Sequence, residues 1–164
     1  MTTPVRLDTV DDTRAFGAKL AGLLRPGDLV VLTGPLGAGK TALVQGIGAG
    51  LHVQGEITSP TFVIARVHRP DAARGGTVPL VHADAYRIGT AADPIAEIDG
   101  LDLDASMDEA VTVVEWGEGI VEQLGEAHLG VRIDRRDDDT RVVELVPAGG
   151  DWPQRVAALT EVAR

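Results

Sequence analysis

The stretch Gly34-Pro35-Leu36-Gly37-Ala38-Gly39-Lys40-Thr41 fits the phosphate-binding pattern G-x-x-x-x-G-K-[ST] at every fixed position. Its setting fits as well. The turn Arg25-Pro26-Gly27-Asp28 leads into Leu29-Val30-Val31-Leu32, an apolar run that predicts a buried strand. Residues 42–49 then predict a short helix, with Leu43 and Ile47 one turn apart. Gly34, Gly37 and Gly39 let the backbone bend with its N–H groups turned inward and no Cβ in the way. A helix N-terminus behind such a loop favours an anion, because its first N–H groups are unpaired and its dipole is positive there. In this pattern Lys40 reaches the β- and γ-phosphates of a nucleotide, and the Thr41 hydroxyl binds Mg²⁺. The chain has two lysines, Lys19 and Lys40, against 13 arginines; a composition that favours Arg keeps a compact point charge where the motif needs one.

A phosphate loop also needs a second metal-binding group, usually an acid at the C-terminal end of a neighbouring apolar strand. Two acids qualify: Asp84, behind the apolar run 78–81, and Glu115, behind Val111-Thr112-Val113-Val114. Glu115 has the cleaner Walker-B setting. Either would hold Mg²⁺, directly or through water, or orient the attacking water. Ser59-Pro60-Thr61-Phe62 lies where many phosphate-loop hydrolases carry a γ-phosphate-sensing loop. Pro60 holds that backbone extended, and Ser59 and Thr61 offer hydroxyls. Of the five aromatics (Phe16, Phe62, Tyr86, Trp116, Trp152), three sit in these motifs. His82 stands beside Asp84, but no other His or Cys has ligand spacing with them, so zinc is not expected.

The remaining chain reads as scaffold. Thr9-Val10-Asp11-Asp12 resembles a capping box, and Phe16, Leu20, Leu23 and Leu24 share one helical face behind it. Gly46, Gly48 and Gly50 predict a weak end to the loop helix. Strands are expected over 62–67, 78–81 and 111–114, and short helices over 93–100 and 119–124. The runs 131–134 and 141–146 predict a hairpin around the charged tip 135–140, and Trp152-Pro153 opens a final helix. At 164 residues, with no repeat or linker, residues 1–164 read as a single domain. With no cysteine, neither a disulfide framework nor a thiolate metal site is possible. No basic leader or long apolar run stands out, so no membrane association is expected and the cytoplasm is the default. Net charge is −10, and 88–131 carries 11 acids with no Lys or Arg. Such a chain is a poor nucleic-acid binder on its own.

The ordered set Gly-Pro-Leu-Gly-Ala-Gly-Lys-Thr (34–41), Ser-Pro-Thr-Phe (59–62), His-Ala-Asp-Ala-Tyr-Arg (82–87) and Val-Glu-Trp (114–116) closely resembles the bacterial TsaE family, also called YjeE. The resemblance spans nearly the whole chain. It implies a small P-loop ATPase acting in formation of N6-threonylcarbamoyladenosine in tRNA, next to the anticodon. It implies TsaB and TsaD as partners, with tRNA met only through the complex, and weak hydrolysis by the ATPase alone. By matching positions, ATP is bound by Gly34, Pro35, Leu36, Gly37, Ala38, Gly39, Lys40 and Thr41, with Thr61 and Trp116 beside it. Thr41 and Glu115 would hold Mg²⁺. Asp84, also within reach of the metal role, would be the water-orienting or catalytic acid alongside Lys40 and Glu115. Segments 59–62 and 82–87 would respond to the nucleotide.

Three rival readings stand beside this one. A GTPase would use an Asn-Lys-x-Asp motif to read guanine, and this chain has no asparagine. A small-molecule kinase would close an arginine-bearing lid, yet no Arg or Lys lies between Arg87 and Arg132. A nucleotide-loaded docking module without essential turnover is not separable from a slow ATPase by sequence. The reading is therefore an α/β P-loop NTPase with a mixed, mainly parallel sheet flanked by helices, and a C-terminal hairpin and helix. Arg87 is the one cis arginine near a motif, so the catalytic arginine is expected from a partner.

Overall fold

The computed structural model describes residues 4–34, 39–54, 57, 65–84, 109–115 and 127–162. The expected helices over 93–100 and 119–124, the 59–62 loop, loop residues 35–38, Tyr86, Arg87 and Trp116 lie outside them.

Thr9 caps the first helix, α1 (Val10–Ala21), as its sequence predicts. The Asp12 N–H donates to Thr9 Oγ1 (3.0 Å), and the Thr9 N–H donates to Asp12 Oδ2 (3.2 Å). Phe16 and Leu20 face inward. Arg25-Pro26-Gly27-Asp28 then turns the chain into β2 (Leu29–Thr33), whose first four residues are all buried. The loop helix, α2, runs Lys40–Leu51, longer at both ends than the expected 42–49.

Glycines of the two helices explain the extension of α2 at its C-terminal end. A Cβ on Gly46 would lie 2.0 Å from the Arg14 carbonyl oxygen, and one on Gly17 would lie 2.4 Å from that of Leu43. These residues are contact points at which α1 and α2 touch backbone to backbone, rather than helix-ending signals. Close packing of the two axes outweighs the intrinsic helix cost of glycine. Leu43, Val44 and Ile47 pack beside them at 0% exposure, in one core with Val30, Leu32 and Val113.

Among the described residues, seven strands form one sheet in the order β1-β7-β6-β2-β5-β4-β3. They are β1 (Val5–Leu7), β2, β3 (Ala65–His68), β4 (Leu80–Asp84), β5 (Val111–Glu115), β6 (His128–Arg135) and β7 (Arg141–Ala148). The central four, β6-β2-β5-β4, are parallel, and antiparallel strands finish both edges. The expected 78–81 strand is displaced to Leu80–Asp84. Pro79 has no N–H to give a ladder and instead accepts from the Val111 N–H (3.0 Å), so regular pairing starts after it. The charged hairpin appears as expected, with longer arms. The edge strand β1 was not foreseen.

The last helix, α3 (Trp152–Val162), begins at the Trp-Pro pair. Arg155 ties it to the turn before β2. Its guanidinium donates to both carboxylate oxygens of Asp28 and to the Leu23 carbonyl, and it lies 3.8 Å from the centroid of the Trp152 ring. Among the described residues there are three α-helices, and none is long and apolar enough to cross a membrane. A strand, glycine-rich loop and helix set into a parallel core is the P-loop NTPase arrangement.

Candidate functional site

The parallel core brings three chain-distant points to one edge of the sheet. In the register of β2 on β5, Leu32 pairs with Glu115; in that of β4 on β5, Asp84 pairs with Glu115. The end of β2, where Gly34 starts the loop, therefore lies beside the end of β5, with the end of β4 on the far side of β5.

Gly39 caps α2 with φ +104°, a left-handed conformation that glycine adopts without strain. No side chain caps the helix, and its first turn contains no acid. Its positive end is therefore left for an outside anion. Lys40 follows directly. Its side chain is buried, and Nζ donates to the Gly34 carbonyl oxygen at 2.6 Å. The ammonium thus crosses the base of the loop, where a bound phosphate would meet both it and the helix N-terminus. Thr41, next on the helix, is half-buried.

Glu115 ends β5 at 3% exposure, an unusual place for a carboxylate. Its Oε2 lies 3.5 Å from Nε2 of His82, which is itself fully buried. That is ion-pair reach, not an aligned hydrogen bond, and both ring nitrogens of His82 lack a hydrogen-bond partner. Among the described residues, the ion-pair contact of Glu115 is with His82 and not with a Lys or Arg. A hard cation suits such an oxygen, and the Thr41 hydroxyl is the kind of neutral oxygen that completes a Mg²⁺ shell. The donor chemistry fits Mg²⁺ held through one or two protein oxygens. Among the described residues, no group of three or more His, Cys, Asp or Glu is placed so as to hold a metal ion.

The strands place Gly34, Gly39, Lys40, Thr41, Asp84 and Glu115 at one edge. Pro35, Leu36, Gly37, Ala38, Thr61 and Trp116 lie outside the described residues. Sequence reasoning missed two contacts, that of His82 with Glu115 and that of Arg141, the first residue of β7, with Gly39. A Cβ placed on Gly39 would meet Arg141 Nε and Ile133 Cδ1, each at 3.5 Å. A guanidinium therefore borders the phosphate loop from a strand a hundred residues downstream, where Arg87 had been the one cis candidate. No local signal marks it, because the contact depends on β7 folding back on β6.

Comparison with known proteins agrees with this arrangement. The family described as "Threonylcarbamoyl adenosine biosynthesis protein TsaE" matches residues 7–143. A Streptomyces coelicolor protein named tRNA threonylcarbamoyladenosine biosynthesis protein TsaE is 53% identical over 143 residues, 85% of this chain and 93% of the relative. Its namesake in Mycobacterium bovis is 52% identical over 139 residues, 83% and 82% of the two chains. The Bacillus subtilis namesake is 34% identical over 142 residues, 87% and 84%. The crystal structure of Bacillus subtilis YdiB superposes with a TM-score of 0.78 at 28% identity, covering 99% of this chain and 96% of that one. With the family match running from residue 7 through the loop and the parallel core to residue 143, at the start of β7, the chain belongs to the TsaE family.

Proposed function

We propose that this chain is a Mg²⁺-dependent ATPase required for N6-threonylcarbamoyladenosine formation in tRNA, acting with TsaB and TsaD. The observation that carries the reading is the uncapped N-terminus of α2, with Lys40 drawn across the loop to Gly34 and Glu115 buried at the same sheet edge.

The loop N–H groups and Lys40 bind the phosphates of ATP and hold the γ-phosphoryl in place. Thr41 and Glu115 would hold Mg²⁺, which when bound would supply positive charge against the negative charge that builds on the phosphates. Asp84 orients the water. The water oxygen attacks the γ-phosphorus, the bond to the β–γ bridging oxygen breaks, and ADP, inorganic phosphate and a proton are released. Arg141 adds positive charge at the rim of the loop. The chain has no asparagine from which to build the Asn-Lys-x-Asp guanine-reading motif, which argues against GTP as the substrate. The net charge of −10 favours contact with tRNA through the partners rather than directly.

The test is Mg²⁺-dependent ATP turnover by the chain alone and with TsaB, TsaD and tRNA, with Lys40→Ala as the blank. Stimulation by the partners, abolished in Lys40→Ala, is expected. Tight ATP binding without stimulated turnover would replace the reading by a nucleotide-dependent docking module, and phosphate on a small acceptor would replace it by a kinase. Glu115→Ala should weaken Mg²⁺-dependent nucleotide binding; unaltered Mg²⁺ affinity would move the metal role to Asp84.

A further inference from the structure

We infer that His82 is a positioning residue for the Glu115 carboxylate, an inference that rests on the Mg²⁺-nucleotide reading of this edge. β4 needs an apolar residue at this place. Leu80, Val81 and Ala83 around it are apolar and fully or almost fully buried, and His82 is at 0% exposure among them. An imidazole there with neither nitrogen hydrogen-bonded carries a desolvation cost that nothing offsets. A leucine would fill the site without that cost. Residues that break the local rule in this way concentrate at functional sites.

The sheet register supplies the reason. His82 pairs with Val113, two residues before Glu115 on the same face of β5. This brings Nε2 to 3.5 Å from Oε2. Such contacts at ligand-free sites often tighten when the ligand arrives. With the proton on Nε2, His82 donates to Oε2, ties that oxygen back against the sheet, and leaves Oε1 as the oxygen for the cation. This is the service an outer-shell hydrogen bond gives a metal-binding carboxylate. His82 is walled off from solvent, so it is neither the base that takes a proton from water nor a ligand.

Two measurements test the assignment. In the protein without nucleotide, the ¹⁵N pattern of the His82 ring should be that of the Nε2–H tautomer; the Nδ1–H tautomer would overturn the inference. ADP affinity is then measured calorimetrically with Mg²⁺ and with EDTA, for wild type, Lys40→Ala, His82→Leu, His82→Gln and His82→Asn. The Gln amide nitrogen stands where Nε2 does, while the Asn amide nitrogen stands where Nδ1 does and falls short of Oε2. The Mg²⁺-dependent gain in affinity should fall about tenfold or more in His82→Leu and His82→Asn and stay within about threefold of wild type in His82→Gln, with EDTA affinities alike in all three. Equal gains in wild type and His82→Leu would overturn it. Should His82→Leu fail to fold, equal gains in the Gln and Asn variants would do the same. If wild type shows no Mg²⁺-dependent gain, or Lys40→Ala binds as well as wild type, the ATPase reading falls and takes this inference with it. A gain in wild type that His82→Leu keeps defeats the inference alone.

Discussion

Gly46→Ala should destabilise the protein, although the same change in an exposed helix would stabilise it. The added methyl would lie 2.0 Å from the Arg14 carbonyl oxygen and within 3 Å of the Arg14 carbonyl carbon and Cα. All three are backbone atoms of α1, so no side chain can swing away. Ordinary contact requires about 3.5 Å, so the two helices must part by more than about 1 Å. They cannot do so cheaply, because Leu20, Leu43 and Ile47 fill the space between them and the sheet at 0% exposure. Overpacking of this kind costs about 3 kcal/mol, at the upper end of its range. The better helix propensity of alanine returns about 1 kcal/mol. A net loss of about 2 kcal/mol lowers Tm by about 4–8 °C in a chain of this size. Gly22→Ala is the control. It lies at the C-cap of α1 with φ −64°, and its Cβ would meet one backbone oxygen, Lys19 O, at 3.3 Å. Calorimetry on both variants decides. A Tm for Gly46→Ala equal to or above wild type would refute the backbone-to-backbone packing of α1 on α2, since propensity alone predicts a gain.

Arg155→Ala breaks the buried pair with Asp28, whose side chains are 8% and 12% exposed, and should cost about 3–5 kcal/mol in urea unfolding. Adding Asp28→Asn should cost little more, and full additivity would show that the two do not act together. Arg141→Met should weaken ADP binding by about tenfold and reduce its salt dependence, because a cation bordering the phosphate loop is lost; unchanged affinity would remove Arg141 from the site. The Thr140 hydroxyl (2.6 Å) and then its backbone N–H (3.1 Å) hold the Asp138 carboxyl below its ordinary value of 3.8. A depressed carboxylate supports the hairpin above its unfolded pKa, and that support fades as pH falls through the lower folded value. A ¹³C titration should show Asp138 rising toward 3.8 in Thr140→Val, and no rise would assign the shift to another cause.

What was legible in the sequence was what adjacent residues specify. Leu29-Val30-Val31-Leu32, Lys40-Thr41, the Thr9 cap and the paired runs around 135–140 are local patterns, and each forms the expected element. Errors arose where tertiary contacts override local preference. Gly46, Gly48 and Gly50 read as a helix end because propensity is a local quantity, whereas the approach of α1 that makes use of Gly46 and Gly50 is not. His82 and Asp84 hid the end of β4, because polar residues in a strand break its apolar run. β1 has three residues, too few for a period to show. At the site, the sequence offered Asp84 and Glu115 but not the imidazole packed against Glu115, nor Arg141 beside Gly39. Both contacts follow from strand register, which pairs residues about 30 and 100 positions apart.

The placement of Glu115 leads to one further expectation, opposite in sign to that for Gly46. A carboxylate at 3% exposure has lost most of its water, and its partner His82 sits 3.5 Å away without an aligned hydrogen bond. Burying an ion without full compensation costs stability, and functional sites are where such costs persist. Glu115→Gln keeps the shape of the side chain and removes the charge. Without nucleotide and metal, the variant should therefore melt at or above wild type, by up to about 2 kcal/mol of added stability. With MgADP present the order should reverse. Wild type gains stability in proportion to the logarithm of ligand concentration over Kd, and Glu115→Gln, binding the metal complex more weakly, gains less. Melting curves across a MgADP titration should cross. If Glu115→Gln were clearly less stable than wild type without ligand, the carboxylate would be a structural element of the sheet edge rather than a charge held there for a cation.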